Sequence, residues 1–95
     1  MKPKSIDDSH KKWMEDPEYR KEYEALAEEF ALASALIQAR ARAGLTQEEV
    51  ARRMNTTQAA IARLEGSGRM PSTRTLKKYA EATGNRLFIR FEPVQ

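Results

Sequence analysis

The sequence predicts a mainly α chain: a small helical bundle, an N-terminal helical arm and a C-terminal β-strand. Three observations carry this. Apolar residues recur at steps of three and four from Tyr19 to Ile37. Start and stop residues then divide 46–84 into three short helical segments. After Gly84-Asn85 the pattern changes to a run of β-formers, Leu87-Phe88-Ile89-Arg90-Phe91, closed by Pro93.

The elements can be justified in order. Met1–Ser9 is polar, aperiodic and contains Pro3, so it reads as flexible. Asp16-Pro17-Glu18 is a helix-start signature. Asp16 accepts hydrogen bonds as N-cap, and Pro17 suits the first helical position, whose N–H is unpaired in any case. No Pro or Gly interrupts Pro17–Ala43. Tyr19, Tyr23, Leu26, Phe30, Ala33 and Ile37 form one helical stripe, and Gly44 supplies the stop. The run is acidic and aromatic up to Glu29, then alanine-rich with a basic end. It is either one long helix or two segments bent near Ala27–Phe30.

Thr46-Gln47-Glu48-Glu49 is an S/T-x-x-E capping box and predicts a second helix over about Gln47–Met54. Asn55 tolerates the left-handed turn that follows. Thr57 caps a third helix over about Gln58–Leu64, which Gly66-Ser67-Gly68 breaks. Ser72, after Pro71, caps a fourth that runs to about Thr83. The strand at Leu87–Phe91 has no partner within the chain. Unpaired backbone on an apolar strand invites pairing with a second copy. The other reading is a tail packed irregularly on the core.

Composition narrows the function. Ninety-five residues fit one small domain with an arm. Lys+Arg number 17 and Asp+Glu 14, a net +3 that hides an asymmetry. Residues 1–29 carry a net −3, and residues 30–95 a net +6. A basic body suits a polyanion, and an acidic arm suits a basic protein. Zero cysteines exclude a disulfide framework and a thiolate metal site, and fit a cytoplasmic location. The longest apolar-or-small run, Phe30–Ile37, is far below the ~20 residues that span a bilayer. Met1–Asp8 has no apolar core of the kind a secretory signal needs. His10 is the only imidazole, so a metal site or a serine–histidine triad lacks its partners. No cofactor, metal or small-molecule substrate is expected. The pairs Asp7/Asp8, Glu28/Glu29 and Glu48/Glu49 are adjacent in sequence. Neighbours on a helix point about 100° apart and do not converge, so no enzyme is expected either.

Gln47–Glu65 reads helix, short turn, helix. Ala51 is small enough to let two helices approach closely, and Val50, Met54, Ile61 and Leu64 face a shared core. The stretches Gly44-Leu45-Thr46-Gln47-Glu48-Glu49-Val50-Ala51 and Thr56-Thr57-Gln58-Ala59-Ala60-Ile61-Ala62-Arg63-Leu64-Glu65 resemble the XRE/Cro family of helix-turn-helix DNA-binding domains, a lambda-repressor-like fold. The resemblance covers about Ile37 to Gly84. Asn55 departs from it, standing where the family usually has glycine.

This resemblance implies that the second helix of the motif enters the major groove. Gln58 would then face base edges, where an amide pairs bidentately with adenine, Ala59 would admit a thymine methyl, and Arg63 would reach a guanine or a phosphate. Gln47, Thr57, Arg69 and Arg74 are the implied phosphate contacts. For Arg52, Arg53, Lys77 and Lys78, phosphate contact and plain solvation stay open. The family also commonly pairs a helix-one arginine with the glutamate that ends the recognition helix. Here these are Arg40 and Glu65, a structural ion pair.

The whole layout is similar to HigA-type antitoxins of toxin–antitoxin systems. The likeness rests on Trp13–Tyr19, Leu36-Ile37-Gln38-Ala39-Arg40, the motif, and Leu87–Phe91. It implies three parts. An arm over 1–29 would bind a RelE/HigB-like toxin through Trp13, Tyr19 and Tyr23, a DNA-binding domain would span 30–84, and a dimerising strand over 85–95 would use Leu87, Phe88, Ile89 and Phe91. The implied partners are operator DNA, the toxin and a second copy. The alternative is a stand-alone transcriptional repressor of phage or host type, in which the arm only supports the dimer.

Overall fold

The computed structural model describes residues 11–66 and 70–94. The N-terminal lead, His10 and the Ser67-Gly68-Arg69 stretch lie outside the described residues. Among the described residues, from Pro17 onward, four helices follow in order: α1 Pro17–Arg42, α2 Gln47–Arg53, α3 Gln58–Glu65 and α4 Thr73–Ala82.

Local chemistry sets each boundary. The Asp16 carboxylate accepts from the Glu18 N–H at 3.0 Å, and Pro17 opens α1. The helix then runs unbroken for 26 residues, so the long-helix reading holds and the two-segment one does not. Gly44, at φ +70°, turns the chain away. At α2 the capping box closes in both directions. Thr46 Oγ1 accepts from the Glu49 N–H at 3.1 Å, and Glu49 Oε1 accepts from the Thr46 N–H at 3.0 Å. Asn55 sits at φ +56° in the turn, the left-handed geometry its side chain tolerates. Thr57 and Ser72 cap α3 and α4 through bonds from the Ala60 and Thr75 N–H groups.

Leu36, Val50, Ala51, Ile61, Leu76, Tyr79 and Ala82 form the core, with Leu32, Ala39, Leu45, Met54, Leu64 and Leu87 packed on it. Val50 and Ile61 are fully buried, and Ala51 is the small residue at the α2–α3 contact. The stripe expected on α1 divides. Its core-facing residues are Leu32, Ala33, Leu36 and Ala39, whereas Tyr23, Leu26 and Phe30 are 44%, 64% and 69% exposed. Periodicity finds a face of the helix, but α2–α4 are too short a body to cover all of it. Upstream of Leu32 the helix extends past the core.

The strand expected at Leu87–Phe91 does not form. Residues 85–94 have no regular secondary structure, and no strand occurs among the described residues. The reason is physical: a strand is a ladder with a neighbour, and a helical chain offers no edge. Leu87 is half-buried on the core, while Phe88, Ile89, Phe91 and Val94 are exposed.

Candidate nucleic-acid interface

The turn between α2 and α3 is short because Asn55 takes positive φ and Thr56 N–H returns to the Ala51 carbonyl at 2.8 Å. This seats α3 across α2, with Ile61 and Leu64 inward. Gln58, Ala59, Ala62 and Arg63 are left exposed on α3.

Beneath that surface lies one buried carboxylate. Glu65, at the end of α3, keeps only 3% of its side chain exposed. Arg40 of α1 grips it with Nε to Oε2 at 2.7 Å and Nη2 to Oε1 at 2.9 Å, a bidentate fork. Arg40 Nη1 also donates to the Leu45 carbonyl at 3.1 Å. Gln47 Nε2 donates to Glu65 Oε1 at 3.0 Å. The Tyr79 hydroxyl of α4 lies 2.7 Å from both Glu65 Oε2 and the Leu36 carbonyl, so its single hydrogen sits between two acceptors. One carboxylate thus ties all four helices together. No buried side-chain polar atom among the described residues lacks a partner.

The charges follow from these contacts. Burial pushes the Glu65 carboxyl up, but the bonds from Arg40, Gln47 and Tyr79 outweigh it and hold the group below its ordinary value. The bond to Glu65 raises Arg40 against the opposing effect of burial. Burial first, and then the neighbouring Glu65, raise the Tyr79 phenol. Glu65 is therefore ionised and accepts only.

The match between this geometry and known proteins is at the family level. The HTH_3 helix-turn-helix model matches residues 36–88, more than half of the chain. The chain belongs to the HTH_3 helix-turn-helix family. Neither a curated protein nor a solved structure matches it. HTH_3 membership, of the XRE type, makes this a DNA-binding domain of the kind that regulates transcription, in a family that is typically not enzymatic. The matched span begins at Leu36 and leaves the acidic arm outside it.

Within the HTH_3 domain the structure distributes the expected residues unevenly. Arg40 and Glu65 meet as expected. Gln47 and Gln58 also meet: Gln58 Nε2 donates to Gln47 Oε1 at 2.5 Å. Ala59 and Arg63 are exposed on α3, and Arg63 makes no ion pair among the described residues. Thr57 spends its oxygen on the α3 cap, leaving its hydroxyl hydrogen uncommitted. Arg74 is exposed in the first turn of α4. Arg69 lies outside the described residues.

Arg53 was open between phosphate and solvent, and it does something else. Its Nη1 donates to the Ala82 carbonyl at 2.8 Å, satisfying the C-terminal end of α4. No local pattern signals this, because the partners are 29 residues apart. Tyr79 was also missed, since a tyrosine in a helical stripe reads simply as core. Arg52, Lys77 and Lys78 are exposed. In the arm, Trp13 and Tyr19 meet with ring centroids 5.5 Å apart, and Tyr19 stacks on Tyr23 at 6.3 Å. The three rings thus lie in one cluster. No group of potential metal ligands occurs among the described residues, and none of their helices is long and apolar enough to cross a membrane.

Proposed function

We propose that the chain is an antitoxin: a dimeric DNA-binding autorepressor whose N-terminal segment blocks a RelE/HigB-like mRNA endonuclease toxin. The observation that carries this is the half of α1 that the fold does not use. Among the described residues none upstream of Leu32 on this helix packs on the core, yet Leu26 and Phe30 are exposed there among Glu18, Glu22, Glu24, Glu28 and Glu29. Apolar anchors inside an acidic field suit a basic protein partner: the anchors supply affinity and the charges steer encounter. The aromatic cluster Trp13–Tyr19–Tyr23 extends the same surface.

The DNA side of the proposal assigns Gln58, Ala59 and Arg63 to base edges. Gln47, Thr57, Arg69 and Arg74 take phosphates. The dimer is assigned to the C-terminal segment. Phe88, Ile89 and Phe91 are exposed there, and a second copy supplies the edge that one chain lacks. A stand-alone repressor is the competing reading.

The two readings separate with two substitutions on α1 that put a charge in place of an apolar anchor, Leu26→Glu with Phe30→Glu. Both positions are exposed, so folding and operator binding should persist. Toxin neutralisation, read as growth rescue and as co-purification with the product of the adjacent gene, should be lost. Undiminished neutralisation would mean that the arm is not the toxin surface. Absence of any toxin partner would leave the repressor alone.

A further inference from the structure

Glu65 does more than hold helices together. It is ionised and offers only lone pairs. Gln47 Nε2 lies 3.0 Å from its Oε1. The reverse amide orientation would set two oxygens face to face, so the carboxylate fixes Gln47 nitrogen-inward and oxygen-outward. That outward oxygen meets Gln58 Nε2 at 2.5 Å. The same rule repeats: the Gln58 amide must present nitrogen to Gln47. What Gln58 retains is its oxygen and its second N–H. Both amides have a defined polarity, set by one buried charge that bonds Gln47 directly and reaches Gln58 through it.

This polarity has a meaning at a base edge. In the major groove adenine offers the N7 acceptor beside the N6 donor, whereas guanine offers two acceptors, N7 and O6. An amide held with one donor and one acceptor complements adenine. Against guanine its oxygen faces O6. An amide free to rotate can instead turn its nitrogen toward either guanine acceptor. The geometry points to Glu65 as a positioning residue for base recognition: acting through Gln47, it fixes the amide end that Gln58 offers and so selects adenine over guanine at that base pair. This rests on the reading of α3 as the groove-entering helix. Glu65 touches no base, and its contribution is to orient.

The experiment uses the full chain and duplexes chosen by selection from random sequence. The base pair read by Gln58 is located as the position where Gln58→Ala loses its preference. The adenine-to-guanine affinity ratio there is then measured for three further variants. Gln47→Met keeps length and bulk, removes the relay and leaves Arg40, Glu65 and Tyr79 in contact. Its ratio should fall by roughly 5- to 150-fold, the range a bidentate base contact supplies. Glu65→Gln, whose amide accepts either orientation of Gln47, should fall in the same direction. Tyr79→Phe removes a bond to Glu65 but neither its charge nor its contact with Gln47. It should lower Tm and keep the wild-type ratio. A folded Gln47→Met that weakens binding equally on both duplexes overturns the relay, as does a Tyr79→Phe that loses the ratio. A wild-type chain with no sequence preference overturns the DNA reading itself, and the relay with it.

Discussion

Replacing Glu65 with alanine removes the acceptor of two bonds from Arg40, one from Gln47 and one from Tyr79. The losses are unequal. Gln47 is half-buried and reaches water, and Tyr79 keeps the Leu36 carbonyl. Arg40 carries most of the cost, because a guanidinium is left charged and partly enclosed. Breaking a buried pair from one side costs about 3–5 kcal/mol. Since 20% of the Arg40 side chain is exposed, water recovers some of that, which places Glu65→Ala at about 3 kcal/mol. A chain of this size is stable by roughly 5–14 kcal/mol. The expected drop in Tm is therefore about 12–24 °C. Thermal unfolding followed by far-ultraviolet circular dichroism measures it. The stranded charge makes a second demand. Adding Arg40→Met to Glu65→Ala should restore part of the lost stability rather than subtract more. An unchanged Tm in the single variant, or purely additive loss in the double, would refute the reasoning.

Two further expectations concern pH and the turn. Glu65 has a folded pKa below its ordinary 4.5, so the stability it contributes is complete above that value and declines as pH falls through the lower one. Denaturant midpoints should fall on acidification, less steeply in Glu65→Gln, and an equal acid limb in both chains would exclude Glu65 as its source. Tyr79 has the opposite sign: its pKa is raised from 10.0, so its contribution is present below that value and is lost as pH climbs above it. At the turn, Asn55→Gly should leave Tm near that of the wild type. Asn55→Val should cost about 1–2 kcal/mol, because a β-branched residue is strained at φ +56°. A valine variant as stable as glycine would show that the turn relaxes.

The parts of this fold that were legible in the sequence are those whose cause is local. Asp16, Thr46, Thr57 and Ser72 each bond to a backbone N–H two or three residues away, so spacing alone announces the helix starts. Val50 with Met54, and Ile61 with Leu64, were legible as core because helical periodicity brings each pair to one face. The tail was misread: Leu87–Phe91 has the residues of a strand, but a ladder needs a neighbouring edge, and residues 85–94 form none. The α1 stripe was half legible: period identifies the face, but the amount covered depends on the size of the body beneath it. At the site, the Arg40–Glu65 pair came from family resemblance rather than from spacing. Arg53 to Ala82 and Tyr79 to Glu65 were hidden because tertiary packing creates them. Gln47 was assigned a phosphate, and its contacts with Glu65 and Gln58 appear only once α2 and α3 are placed.

The first helix is one rod of about 39 Å. Towards one end stands Tyr23, and Phe30 is at its middle. Near the other end, Leu36 and Arg40 meet Tyr79 and Glu65, where α3 ends. Whatever grips the outer end therefore grips the same rigid body that supports α3, with no hinge of Gly or Pro between them to absorb the force. Linkage then runs both ways. If an occupant of the arm alters affinity for DNA by some factor, DNA alters affinity for that occupant by the same factor. A promoter carrying this protein would be, by that equality, also a gauge of its partner.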